Sequence, residues 1–302
     1  MKRIVECVPN FSEGRIREVI DQIVGAMSSV EGVRVLDVQS DADHNRSVVT
    51  MVGEPEAVEE AAFRGIEQAA RLIDMDQHQG GHPRMGASDV VPFVPIAGVT
   101  MADCVEMARR LGERVGRELS IPVYFYEEAA TRPERCNLAD VRRGEYEGLK
   151  TEIETDPHRA PDFGPARMGK AGATAIGARP PLIAFNVYLN TDDVAIAKAI
   201  ARAVRHSGGG LRYVKALGLL VEGRAQVSMN LTDYRQTPIH RVVEMIRREA
   251  ARYGVAIASS ELVGLIPNEA LVDAACFYLQ LDGFSPDQIL ENRLAEWSDD
   301  DQ

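Results

Sequence analysis

The 302-residue chain has no apolar run long enough to cross a membrane as a helix. It also has no amino-terminal h-region: after Met1-Lys2-Arg3 it enters the strand-like Ile4-Val5-Glu6-Cys7-Val8-Pro9 at once. No helical anchor, cleaved secretion signal or membrane partner is therefore expected. Cysteine is scarce. Cys7, Cys104, Cys136 and Cys276 are scattered without a CxxC pair, which excludes a disulfide framework and fits reduced thiols in the cytoplasm. Positive charge is also short, with a net charge of -12. Nucleic-acid binding needs clustered cations against phosphate, so no nucleic-acid partner is expected. A local Arg/Lys cleft for a small anion remains open. Lys supplies only five of the 34 basic residues, a skew read as genome composition or habitat.

What is present is ordinary for a globular protein: 45% hydrophobic and 26% charged residues, with length for two modest domains. In the first half the patterning predicts strand 3–9, helix 14–28 capped by Ser12, strands 33–39 and 46–53, and helix 55–73 with Pro55 in its first turn. Strand 89–96, helix 101–117 and strand 121–126 follow. The second half predicts a strand over 181–190 and a helix from Thr191-Asp192-Asp193 to 205. A hairpin of 213–221 and 225–232 turns at Glu222-Gly223-Arg224. Helix 238–252, strand 255–260 and helix 268–280 complete it. The order β-α-β-β-α-β is the ferredoxin-like pattern, and the first half shows a related order with insertions. The expected class is α+β, two tandem ferredoxin-like subdomains, 1–178 (with a loop over 130–178) and 179–302. The tail Asp299-Asp300-Asp301-Gln302 is expected to be a solvated end.

The segment His78-Gln79-Gly80-Gly81-His82-Pro83-Arg84-Met85-Gly86 concentrates His, Arg, Gly and Pro between two periodic stretches. A rigid polar loop of this kind is a common setting for catalysis. As a general base His82 can take a proton from an amine and return one to a leaving group; a surface histidine held by the backbone is an equal reading. His78 and His82 have metal-ligand spacing, but Gly80, Gly81 and Pro83 preclude the helix that spacing needs, and no metal is expected. Asp41-Ala42-Asp43-His44-Asn45-Arg46-Ser47 reads first as a hairpin turn and second as a polar cleft rim. Asn10, at a strand end, is both a capping-region residue and a candidate ligand contact. Gly164 to Gly172, with Arg167 and Lys170, is neither a GxxxxGK[ST] loop nor a GxGxxG turn; it suits either a flexible linker or backbone approach to a flat or anionic ligand.

Several ungapped stretches together resemble one family. They are Val5 to Gly14, Asn45 to Thr50 with Val52-Gly53-Glu54-Pro55, Gly81 to Phe93, Pro161-Asp162-Phe163-Gly164-Pro165, Ala184-Phe185-Asn186, Ala225 to Asn230 and Glu261 to Pro267. They resemble the glutamate formiminotransferase family, the transferase half of mammalian formiminotransferase-cyclodeaminase. The resemblance spans about residues 3 to 285. It implies a folate tunnel between two ferredoxin-like subdomains and a homodimer. It also implies exchange of the formimino group between 5-formiminotetrahydrofolate and L-glutamate, in histidine catabolism and one-carbon metabolism. Tetrahydrofolate is then a co-substrate. The catalytic histidine falls on His82. The folate-binding stretch falls on Phe163, Gly164, Pro165, Ala166, Arg167, Met168, Gly169, Lys170, Ala171 and Gly172, which overturns the linker reading. Asn10, Arg46, Arg84 and Asp43 are the remaining substrate-contact candidates. No cyclodeaminase domain is expected, so ammonia release would need a separate protein.

Gln39 stands where some members of the resembled family carry an Asp near the histidine, leaving Asp37, Asp41 or Asp43 for that role if it is needed, and Gly81 stands where some carry Glu. In the expected chemistry the amine of glutamate attacks the formimino carbon, and His82 serves as base and then acid. Arg84, Arg46, Arg167 and Lys170 are the candidates for holding carboxylates. The rival readings are a formyl donor on the same fold, a non-catalytic folate binder and, third, a metallohydrolase.

Overall fold

Pro9 lacks the N–H that would continue the first strand, so the expected strand 3–9 is broken in two: β1 (Ile4–Cys7) and β2 (Asn10–Phe11). Both pieces lie between the same two neighbours. After α1 (Arg17–Ser28) come β3 (Val33–Asp41), β4 (Arg46–Gly53), α2 (Pro55–Leu72), β5 (Ser88–Ala97) and α3 (Met101–Arg114). β6 (Val123–Glu127), α4 (Leu138–Val141), α5 (Glu145–Glu152) and β7 (Thr174–Ala178) follow. Pairing runs β3-β4-β1/β2-β5, antiparallel throughout, which is the ferredoxin-like strand order with the broken strand in the middle. Parallel strands β7 and β6 extend the sheet beyond β5.

Computed structural model coordinates describe residues 2–294, so the acidic tail 299–302 lies outside the described residues. The chain divides into two units, Met1–Pro181 and Leu182–Gln302. In the first, the apolar faces of α1, α2 and α3 close on the sheet through Ile23, Met27, Val58, Ile66, Met107 and Leu111, against Val5, Met51, Val91 and Phe93. Each such side chain contributes about 1.5–3 kcal/mol on leaving water. Thr100 and Asp103 form a reciprocal capping box at the start of α3.

Two expectations are corrected here. Ser12 does not cap α1: its Oγ donates to the Gly86 carbonyl at 2.8 Å, and Glu13 accepts from the amides of Arg15 and Ile16, just before the helix, at 2.7 and 2.9 Å. The segment 130–178 is not an open loop. Its short helices are tied down by the buried Arg135–Asp162 pair at 2.5 Å and by Arg159, which donates to the carbonyls of Val141 and Arg143. Its end is strand β7. Thr174-Ala175-Ile176-Gly177-Ala178 carries little intrinsic strand signal, and burial between two parallel strands imposes the conformation.

The second unit runs β8 (Ile183–Leu189), α6 (Val194–Val204), β9 (Val214–Val221), β10 (Arg224–Leu231), α7 (Ile239–Ala251), β11 (Ile257–Val263) and α8 (Asn268–Leu279). The sheet order β11-β8-β10-β9 is again ferredoxin-like and antiparallel. Asp193 caps α6 through the Ala195 amide at 2.8 Å. Glu222 and Gly223, both at positive φ, make the two-residue hairpin turn that matches strand twist. Ile200, Val204, Val242 and Ile246 pack on Val187, Leu189 and Val227. Among the described residues no helix is long and apolar enough to cross a membrane.

Candidate active site

The His-bearing loop lies at the ends of β2, β4 and β5, and short polar turns hold it there. The Gly81 amide donates to the Asp43 carbonyl at 3.2 Å, and Asn45 Nδ2 donates to the Gln79 carbonyl at 3.0 Å. His78 Nε2 lies 3.0 Å from the Asn45 carbonyl. Phe11, Ser12, His44, Asn45, Arg46, His78, His82, Arg84 and Asp89 line a narrow crevice. The turn 41–47 thus belongs to the site as well as to the hairpin.

His82 is half-buried, and its Nδ1 is enclosed without a hydrogen bond of ordinary geometry. Burial first, then the positive fields of Arg46 and Arg142, push the imidazole pKa down to about 2. His82 is therefore neutral at physiological pH, the form that accepts a proton. Arg46 Nε donates at 3.0 Å to the Asn10 side-chain oxygen, which its Nη2 also contacts. Asn10 in turn donates to the Val8 carbonyl at 2.9 Å. No carboxylate among the described residues pairs directly with Arg46; burial and then Arg142 push its guanidinium down to about 10. Asp89 and Asp41 act on Arg46 only through their fields; its direct partner is a neutral amide, which leaves this half-buried guanidinium able to receive a carboxylate.

The other candidates are placed differently. The fork of Arg84 is filled by Glu147 at 2.6 and 2.9 Å and by Glu145 at 2.7 Å, and its Nε donates to His78 Nδ1 at 3.3 Å. It ties the loop to α5. Asp43 contributes its carbonyl to the loop, while its side chain is exposed. Asp41 accepts from the His44 amide at 2.8 Å and lies 2.7 Å from His44 Nδ1. Burial raises the Asp41 carboxyl, but these contacts more than reverse it and hold the group below its ordinary value.

The end of the Phe163 to Gly172 segment is joined to the stretch that follows His82. The Lys170 and Ala171 carbonyls accept from Met75 and Ala87 at 2.9 and 2.8 Å, and Gly86 bridges Gly172. A Cβ on Gly86 would meet the Ala173 carbonyl at 2.1 Å, so the approach of the two segments depends on that glycine. Phe163 is exposed, with its ring edge-on to Phe125 at 5.8 Å. Gly164, at φ +83, sits on Gly116 in the π-helical turn that ends α3. Pro165 is half-buried, and Ala166, Arg167 and Gly169 are exposed. Met168 is packed into the core. Lys170 is exposed and pairs with Asp74 at 2.8 Å. Among the described residues no three His, Cys, Asp or Glu side chains converge to hold a metal ion.

Residues 4–179 match the formiminotransferase domain, N-terminal subdomain, and residues 184–292 match the formiminotransferase domain. The chain belongs to the formiminotransferase family. It is 53% identical to the glutamate formimidoyltransferase of Thermoplasma acidophilum, over 96% of this chain and 97% of that one. It is 50% identical to the enzyme of that name from Streptococcus pyogenes, over 97% and 99%. The formimidoyltransferase-cyclodeaminase of Mus musculus is 46% identical over 92% of this chain and 53% of its own length. Around His82, sequence reasoning missed Arg142, which pairs with Asp89 while Asp89 also accepts from the Met85 amide at 3.0 Å. It also missed Glu145 and Glu147 as partners of Arg84 and His44 as a neighbour of His82. Nothing local marks Arg142, one of several arginines in a long irregular stretch.

Proposed function

We propose that this protein is a glutamate formimidoyltransferase, exchanging the formimino group between N-formimidoyl-L-glutamate and tetrahydrofolate with His82 as the proton-transfer group. The observation that carries this is the meeting of His82 and Arg46 in one crevice, with the 170–172 end of the glycine-rich segment bonded to the loop that bears His82. Arg46 receives a carboxylate of the amino-acid substrate. Tetrahydrofolate, a co-substrate, lies along Phe163, Gly164, Pro165, Ala166, Arg167, Gly169, Lys170, Ala171 and Gly172, where Phe163 offers an aromatic face and the glycines allow backbone approach; Met168 supports this stretch from the core. In the direction toward glutamate, the amine attacks the formimino carbon. His82 accepts a proton from that nitrogen and delivers it to folate N5 as the C–N5 bond breaks. Holding both substrates together supplies much of the acceleration, up to ~7–11 kcal/mol in favourable cases.

The setting follows from the same reading: the cytoplasm, in histidine breakdown. A cyclodeaminase, the second activity in the name of the mouse relative, would take the folate product onward. The active species is a homodimer; Leu271, Phe277, Tyr278 and Leu279 of α8 expose apolar surface of the kind that interfaces bury. The test supplies tetrahydrofolate with N-formimidoyl-L-glutamate or with N-formyl-L-glutamate. Formation of 5-formiminotetrahydrofolate from the first and no comparable transfer from the second supports the proposal. Transfer of formyl alone, or folate binding without turnover of either, contradicts it.

A further inference from the structure

Three imidazoles border the crevice, and the mechanism above uses one. His78 is engaged on both ring nitrogens, by Asn45 and Arg84. His44 is engaged on one. Its Nδ1 lies 2.7 Å from Asp41 Oδ2, and its backbone amide locks the same carboxylate at 2.8 Å. An Nδ1–H donated to a carboxylate leaves Nε2 as the basic nitrogen of the neutral ring. The His44 ring stands edge-on to His82 with centroids 6.2 Å apart, and both line the crevice. About a third of the His44 side chain is open to solvent. A carboxylate orienting an imidazole that faces a reacting centre is the arrangement used to build an acid/base group.

The proton balance of the transfer leaves work for such a group. Glutamate arrives as an ammonium ion. It must lose one proton before its nitrogen can form the bond to the formimino carbon, and a second after that bond forms. Folate N5 takes up one as the C–N5 bond breaks. One proton therefore leaves the site in each forward cycle. His82, beside the guanidinium groups of Arg46 and Arg142, is poorly placed to hold two in succession. Arg84 is neutralised by Glu145 and Glu147, and Asp89 is engaged by Arg142. Among the groups lining the crevice, the Asp41–His44 pair combines a ring contact to His82 with open access to solvent.

We propose that His44, oriented by Asp41, is the second acid/base of this site. It takes the ammonium proton of incoming glutamate, and in the opposite direction returns it, while His82 moves the other proton between that nitrogen and folate N5. This rests on the formimidoyltransferase reading.

The test uses the full-length protein and its His44→Asn, His44→Ala and Asp41→Asn variants in formimino transfer. Tetrahydrofolate binding is followed by calorimetry and stability by thermal melts. His44→Asn is expected to lower kcat about 100-fold, and Asp41→Asn about tenfold, with the Kd of tetrahydrofolate changed less than about threefold. Added imidazole is expected to restore part of the His44→Ala rate. Should His44→Asn fail to fold, Asp41→Asn, which keeps the turn's acceptor, carries the test. The proposal is overturned if kcat of the folded variants stays within about threefold of the native value. It is equally overturned if the loss appears only as a lowered Tm without imidazole rescue, which makes the pair a structural turn. Absence of transfer by the native protein would instead remove the function itself, and this role with it.

Discussion

Burial first, and then the charges of the half-buried Arg46 and Arg142, hold the His82 imidazole neutral before substrate arrives. In the free protein, His82 should remain neutral far below the ordinary histidine range. An NMR titration of its ring is expected to show no midpoint between pH 8 and 5; a midpoint near 6.5 would show that neither burial nor the cations act on it. Binding a carboxylate at Arg46 relieves part of that repulsion and makes the imidazole a better base when the substrate is present. Arg46 and Arg84 separate cleanly by mutation. Arg46→Ala should raise KM for N-formimidoyl-L-glutamate about 10- to 100-fold with little change in Tm, as a charged hydrogen bond worth about 1.5–3 kcal/mol is lost. Arg84→Ala should instead cost about 1–2 kcal/mol of stability, because its carboxylate partners are largely solvated, and should move KM much less. The reverse pattern would return Arg84 to the role of carboxylate ligand. The Gly- and Pro-rich context marks His82 as a candidate, and the fold places it in the crevice beside Arg46. The filled fork of Arg84 was not legible in the sequence, since Glu145 and Glu147 lie some sixty positions away.

The site is a meeting of two irregular segments, and their contact is backbone against backbone. Gly86 and Gly172 are bridged where side chains would not fit. Gly86→Ala is therefore expected to cost about 2 kcal/mol or more and to impair folate binding with His82 intact, read from thermal melts and calorimetry. A variant of native stability would mean that the segments are free to separate. Regular elements with clear signals were readable: Asp193 before α6, the Glu222-Gly223 turn and the amphipathic α7 all stand close to where their patterns put them. Elements shaped by tertiary contact were not. Strand β7 owes its conformation to two flanking strands. Ser12 looks like a cap and serves a bond to Gly86 across the sheet end. The short helices of 130–160 depend on buried arginines whose partners are distant in sequence.

Across the whole chain, the repeated βαββαβ order was visible as pattern, and both sheets follow the corresponding strand order. Its ionisable groups give it an acid-sensitive stability. The Glu147 carboxyl is held low by Arg84, and that of Asp103 by the Thr100 amide. Carboxylates lowered in the folded state contribute stability that is complete above their unfolded values, near pH 4, and lost as pH falls through their folded values. Neutral His82 adds a loss that begins earlier, below about pH 6.5, where the unfolded imidazole takes a proton and the folded one does not. The Tm should be level between about pH 7 and 8, decline below about 6.5 and fall more steeply below about 4; a higher Tm at pH 5 than at pH 7 would contradict this linkage. The most direct test of the whole account is the turnover number for formimino transfer from N-formimidoyl-L-glutamate to tetrahydrofolate, measured for the native protein and for His82→Ala. The account predicts robust native turnover and a loss of about 100-fold or more in the variant with tetrahydrofolate binding retained. A loss below about tenfold would remove His82 from proton transfer, and an inert native protein would contradict the function.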